Sequence, residues 1–142
     1  MTDVFRELKE SLGLPEADPK QMSGLALAFL GDTVYEALNR LRTVTNGDRP
    51  VRKLHSESIA RANAKTQSKL VEVLEPLFTE EEKAVYRRGR NAEVYTKAKN
   101  ASITEYHRAT GLEAVIGYLF LTGETERLNA LLKQGWETVG MW

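Results

Sequence analysis

Asp32 and Glu36 stand four residues apart in an otherwise apolar run, Leu25-Ala26-Leu27-Ala28-Phe29-Leu30-Gly31-Asp32-Thr33-Val34-Tyr35-Glu36. Four apart is one face of a helix. At 100° per residue, Leu27, Leu30, Val34, Leu38 and Leu41 form a stripe, with the two acids roughly opposite it. Leu25 and Phe29 share the acids' side. This helix is therefore apolar on both sides and is expected to be buried on both. A carboxylate in such surroundings needs a cation, a set of hydrogen-bond donors or a raised pKa. No Lys or Arg lies between Gln21 and Asn39, so the partner must come from elsewhere in the fold. The structural alternative is that Asp32 caps or pairs with a distant group and simply holds the fold.

A second stretch, Thr110-Gly111-Leu112-Glu113-Ala114-Val115-Ile116-Gly117-Tyr118-Leu119-Phe120-Leu121, is another apolar helix with one acid. Leu112, Val115, Ile116, Leu119 and Phe120 make its stripe, with Glu113 on the edge. Gly117, on the same side, weakens the helix by up to about 1 kcal/mol against Ala. A reason to keep it is close approach of another backbone. Two such helices could meet to hold a hard divalent cation. Mg²⁺ takes oxygen ligands and keeps several waters, so a few carboxylates suffice.

Three motifs in this order resemble a known family. Leu27-Ala28-Phe29-Leu30-Gly31-Asp32-Thr33-Val34-Tyr35-Glu36 is similar to the signature helix of the ribonuclease III superfamily. Arg87-Arg88-Gly89-Arg90-Asn91-Ala92, followed by the Thr110–Leu119 stretch, resembles its Mini-ribonuclease III branch. The resemblance runs from about Gln21 to Leu132. It implies a homodimeric, Mg²⁺-dependent endonuclease for double-stranded RNA, with Mn²⁺ as a substitute metal and no double-stranded-RNA-binding domain. It also implies maturation of the 23S ribosomal RNA precursor. Asp32 and Glu113 become the catalytic, metal-holding acids, with Glu36 as a supplement, directly or through water. The alternative for Glu36 is an ion pair across a subunit interface. Larger members of the superfamily carry acids where this chain has Leu25, Ala28 and Thr110. The Mini branch shares those neutral residues, which leaves open the metal count and what replaces the missing ligands.

The composition is compatible with this. At 142 residues the chain suits one ribonuclease III-like domain over 1–142, burying roughly 70% of its unfolded surface. It has no Cys, which excludes a disulfide framework, a thiolate metal site and a thiol nucleophile. That fits a reducing, cytoplasmic location. No apolar run is long enough for a membrane span, and Asp3, Glu7 and Glu10 argue against a targeting peptide. The net charge is zero, but it is unevenly spread. Arg40 to Arg108 carries 15 Lys and Arg against 9 Asp and Glu; the remainder carries 5 against 11. The middle of the chain is thus the candidate RNA-facing surface, the alternative being ordinary solvated helix faces.

The elements that must position these groups are helical throughout, which makes the fold class all-α. Thr2 to Leu12 reads as an amphipathic helix with Val4, Phe5, Leu8 and Leu12 inward and Gly13 as its stop. Ser23 suits an N-cap for the signature helix, which should run to about Arg42; Met22 and Leu27 fit a hydrophobic staple. Thr45-Asn46-Gly47-Asp48 is a turn signal, and Pro50 suits the first turn of the next helix. Helical pattern continues through Leu54, Ile59 and Ala62 and again from Leu70 to Leu74, with a bend near Ala64 to Gln67. Pro76 ends that section. Thr79 with Glu82, and Ser102 with Glu105, read as capping boxes opening two further helices. Asn91 to Ala101 reads as a polar loop. Gly123 stops the Glu113 helix, and Leu128, Leu131, Leu132 and Trp136 define the last one.

Arg87, Arg88, Arg90 and Asn91, with Lys97 and Lys99 on the following loop, are the candidate RNA contacts. Double-stranded RNA is read mostly through shape, phosphates and 2′-hydroxyls, which such side chains reach. Cations at a helix C-terminus also complement its dipole, and both roles can hold together. Arg52, Lys53 and His55 form a weaker patch. His107 has no spaced His partner, and no Gly-rich phosphate loop or Ser/His/Asp set appears. Beside the nuclease, two other functions fit the pattern. One is a non-catalytic RNA-binding or ribosome-associated module on the same fold. The other is a helical interaction module without RNA. Paired acids disfavour the first, and the basic middle section disfavours the second.

Overall fold

The computed structural model describes residues 3–92 and 102–142. Helix α1 spans Val4–Leu12, opened by the Asp3 carboxylate accepting from the Phe5 N–H and closed by Gly13 in the left-handed region (φ 65°). Of its four apolar residues expected to face inward, only Phe5 packs, against Phe120. Val4, Leu8 and Leu12 are exposed, contrary to that expectation. Phe5 packs on Phe120 and the Asp3 cap lies against Gly123, while Val4, Leu8 and Leu12 overhang the edge.

Helix α2 spans Gly24–Thr45 behind its Ser23 cap. Helices α3, Val51–Ala62, and α4, Ala64–Leu74, are separated at Asn63. Asn63 is extended and caps α4 by accepting from the Thr66 N–H. The expected bend therefore falls one residue before the predicted stretch. A 3₁₀ turn containing Pro76 follows. Helices α5, Glu80–Arg90, and α6, Ile103–Leu121, each open with a complete capping box, Thr79–Glu82 and Ser102–Glu105. Helix α7 spans Thr125–Thr138. Among the described residues there is no strand, as the all-α reading requires.

Helix α6 is the centre of the fold, with α2, α4, α5 and α7 packed around it. From Ala109 to Leu119 every residue but Glu113 is buried. A helix covered on all sides has no apolar stripe of its own; it is apolar all round. Tyr35 ties the outer helices together: its hydroxyl donates to the Arg61 carbonyl and accepts from Trp136 Nε1.

Helices α2 and α6 cross at glycine on glycine. A Cβ built on Gly31 would overlap the Glu113 carbonyl oxygen, and one built on Gly117 would overlap the Leu27 carbonyl oxygen. The backbones touch, so the reason inferred for keeping Gly117 is the one the fold displays.

Within one chain, α2 is buried on one side only. Leu27 and Val34 are in the core, but Leu25 is 41% and Phe29 85% exposed, and Leu41 is exposed as well. The expectation of burial on both sides is not met within a single chain. Small residues, Ala28 and Gly31, sit among the buried ones at the α6 contact, and the Leu25, Phe29 and Asp32 stripe points off the bundle.

Candidate active site

The crossing of α2 and α6 determines where the acids lie. Asp32 directly follows Gly31, and Glu113 is the residue whose carbonyl Gly31 presses against. The two carboxyl groups come together in hydrogen-bonding reach. Asp32 is exposed at the surface, whereas Glu113 is half-buried beneath it. Burial, then the hydrogen bond and charge of Asp32, push the Glu113 carboxyl up to about 9, and the charge of Glu36 adds in the same direction. An acid held this way in the absence of a cation keeps its proton at neutral pH.

Neither Asp32 nor Glu113 enters an ion pair among the described residues. Among the described residues this is an acidic site without a counter-ion, built from hard oxygen donors. Those properties fit Mg²⁺ or Mn²⁺, which accept a small number of carboxylates and fill the rest of their shell with water or substrate oxygen. Among the described residues no group of three or more His, Cys, Asp or Glu gathers for a metal, so the acids act as a pair. Glu36 pairs with Arg40 at 3.4 Å, one turn on along α2. That i, i+4 partner lies just past the segment searched for local cations.

One neighbour went unnoticed in the sequence. Gln67, 4% exposed on α4, carries a side-chain amide whose influence on the Glu113 carboxyl opposes the upward push of burial and of Asp32. The available signal was its place on a stripe with Leu70, Val71 and Leu74: a polar member of a core stripe needs a polar partner.

The basic end of α5 lies at the Asn91 cap. Arg87 is exposed. Arg88 Nη1 donates to the Lys20 carbonyl at 2.8 Å, so part of its role is to anchor the segment before α2. Arg90 lies over the Tyr86 ring and donates to Asn91 Oδ1. Beside them is a hollow of about 500 Å³ lined by Arg90, Asn91, Thr104, His107 and Arg108. Lys97 and Lys99 lie outside the described residues. Arg52, Lys53 and His55 are exposed on α3. A further hollow of about 580 Å³ lies between α2 and α7 beside Trp136 and Trp142, and neither acid lines it.

Residues 25–124 match the family model of the Ribonuclease III domain. The chain is 46% identical over 117 residues to a Mini-ribonuclease 3 of Clostridium tetani, covering 82% of this chain and 78% of that protein. It is 42% identical to a Mini-ribonuclease 3 of Streptococcus pneumoniae, covering 81% and 91%. A crystal structure of a protein from Fusobacterium nucleatum superimposes with a TM-score of 0.77 at 30% identity, covering 82% of this chain and 96% of that one.

Proposed function

The chain belongs to the Mini-ribonuclease 3 branch of the ribonuclease III family and is an endoribonuclease; from that premise we propose that it cuts double-stranded RNA as a homodimer, with Asp32 and Glu113 as its metal-holding acids. The natural substrate in this reading is the 23S ribosomal RNA precursor, cut in the cytoplasm. The observation that carries the assignment is the pairing of two carboxyl groups at the Gly31–Gly117 crossing with no ion-pair partner for either among the described residues.

Mg²⁺ bound there would lower the pKa of a water and neutralise charge on the scissile phosphate. The chain's own residues do the rest. Glu113 presents its carboxylate from a helix fixed on all sides, and Asp32 presents its own from the open face of α2. Glu36, held by Arg40, adds negative charge one turn away. Arg87, Arg88, Arg90 and Asn91, with Lys97 and Lys99, take RNA phosphates in this reading.

A twofold dimer suits a duplex with two antiparallel strands, one for each subunit. The exposed Leu25 and Phe29, next to Asp32 on the same stripe, support this face as the interface. Phe29→Asp should therefore convert a dimer to monomers in sedimentation velocity and lower cleavage with it. A Phe29→Asp protein that stays dimeric would place the interface elsewhere.

Arg87→Ala should weaken duplex affinity and lower the slope of log affinity against log salt by about 0.9, the signature of one lost phosphate contact. Because Arg87 makes no ion pair among the described residues, its melting temperature should hold. An unchanged slope would assign Arg87 to solvation of the helix end.

The test of the whole reading is incubation of the purified protein with an end-labelled RNA duplex, with and without Mg²⁺ or Mn²⁺. Cleavage is expected only with metal. Binding without cleavage under either cation would leave the non-catalytic RNA-binding module instead.

A further inference from the structure

We propose that the hollow between the end of α5 and the start of α6 is a phosphate-binding site, in which Thr104, His107 and Arg108 join Arg90 and Asn91. These five residues line it, around about 500 Å³. Thr104, His107 and Arg108 stand at i, i+3 and i+4 on α6 and share one face of that helix. Arg90 and Asn91 end α5. None of the five is an acid, and each can donate hydrogen bonds.

The fold uses few of these donors. Arg90 Nε donates to Asn91 Oδ1, which leaves both Arg90 Nη atoms and the Asn91 amide nitrogen without acceptors among the described hydrogen bonds. Arg108 donates through Nη1 to Ser68 Oγ and Glu72 Oε1, both at 3.3 Å, and keeps Nη2 and Nε. Its ion pair with Glu72 is open to water, where such pairs are weak, so the guanidinium can be shared with a ligand. His107 is held with Nδ1 buried and unpartnered. A neutral imidazole has one donor and one acceptor nitrogen. Nδ1 has nothing to donate to, and Nε2 is not closed off in this way. The ring therefore offers Nε2 as an N–H donor.

A concave wall with two guanidinium groups, three neutral donors and no carboxylate suits an anion with several acceptor oxygens. Arg pairs best with phosphate or carboxylate through parallel N–H donors. The choice of phosphate rests on the proposed function, in which Arg90 and Asn91 already face RNA. The phosphate can come from an RNA backbone or from a free phosphate ester. The hollow is separate from the acid pair: Asp32 and Glu113 do not line it. At 100° per residue its three α6 members lie about 120° or more round the helix from Glu113.

Thr104 gives the cleanest test, because it is exposed and in the first turn of α6. An acid there suits the helix dipole. Thr104→Glu should therefore melt at or above the wild-type temperature while setting a carboxylate in the hollow. Thr104→Lys does the reverse, with a slightly lower melting temperature and an added cation. In EDTA and 0.1 M salt, Thr104→Glu is expected to bind an RNA duplex about 5–10-fold more weakly. Its slope of log affinity against log salt should be smaller by about 0.9, one phosphate contact. Thr104→Lys should bind more tightly than the wild type, with a steeper slope. Both variants should keep wild-type affinity for Mn²⁺, measured without EDTA or RNA. His107→Leu should weaken the duplex, and His107→Gln, which keeps a donor, should restore most of the loss.

Calorimetry with pyrophosphate in EDTA separates the two sources. Weaker duplex binding by Thr104→Glu makes the RNA backbone the source. Weaker pyrophosphate binding with an unchanged duplex makes it a free phosphate ester. Duplex and pyrophosphate affinities that are equal in the wild type, Thr104→Glu and Thr104→Lys overturn the site. A folded His107→Leu protein that binds like the wild type overturns the part assigned to His107. A wild type that binds no duplex would remove the RNA reading of α5, and the pyrophosphate titrations would then decide the hollow by themselves.

Discussion

Glu113→Gln is expected to raise the melting temperature of the metal-free protein at neutral pH while abolishing its stabilisation by Mn²⁺. The reason is the field at the α2–α6 crossing. Burial and Asp32 raise the Glu113 carboxyl to about 9, against an ordinary value near 4.3 in the unfolded chain. Between those values the folded state binds more protons than the unfolded state, so stability falls as pH rises through the window. Below it both states are protonated, and above it both are ionised, so the slope vanishes at each end.

Glutamine keeps the shape and removes the titration, which flattens this part of the profile. The gain at pH 7 to 8 should be about 1–3 kcal/mol once solvent screening of the half-buried pair is allowed for. For a chain of this size that is roughly 3–10 °C in Tm. The wild type should gain stability as Mn²⁺ is added, by the usual mass-action linkage, and Glu113→Gln should not. Melting curves over pH 5 to 9, with and without Mn²⁺, read both effects. If Glu113 instead belonged to a structural pair, its removal would destabilise the fold by about 3–5 kcal/mol. A lowered Tm at every pH would mean that.

Gly117→Ala is expected to move stability the opposite way from helix propensity. On a free helix surface Gly to Ala stabilises by up to about 1 kcal/mol. Here the added Cβ meets the Leu27 carbonyl, part of a backbone that cannot rotate aside. The two helices must separate, at a cost of about 3 kcal/mol or more, at the upper end for overpacking. Gly31→Ala meets the Glu113 carbonyl and should behave alike. Separation also parts Asp32 from Glu113, so Mn²⁺ affinity and cleavage should fall further than Tm alone accounts for. Denaturant unfolding measures the first effect and calorimetry the second. A Gly117→Ala protein as stable as the wild type would mean that the helices do not touch in solution.

Much of this site was legible in the residues. Both capping boxes carry their chemistry in four letters, and both form. Gly117 is costly inside a helix, and only a neighbouring backbone makes sense of it. Asp32 and Glu113 stand out because each is the acid in an apolar run. What escaped was whatever depends on a third element. Gln67 bears on Glu113 from α4, a helix packed on α6 but more than forty residues earlier in the chain, and periodicity carries no information about which helices meet. The Arg40 partner of Glu36 was local but lay one residue past the segment free of Lys and Arg. The apolar residues of α1 followed the helical period without a surface to cover them, because a stripe states what could be buried and not how much neighbour there is. Phe29 is the reverse case: its type implies burial, and within one chain it is 85% exposed.

The role of the acid pair is tested most directly by duplex cleavage with Glu113→Gln and Asp32→Asn beside the wild type. All three proteins would be brought to equal folded concentration and assayed with Mg²⁺ and with EDTA. The wild type should cut the labelled duplex in Mg²⁺ and not in EDTA. Both variants should bind the duplex with wild-type affinity, remain folded, and leave it intact in Mg²⁺. Cleavage at the wild-type rate by either folded variant, or cleavage by the wild type in EDTA, would contradict a metal-holding role for the Asp32–Glu113 pair.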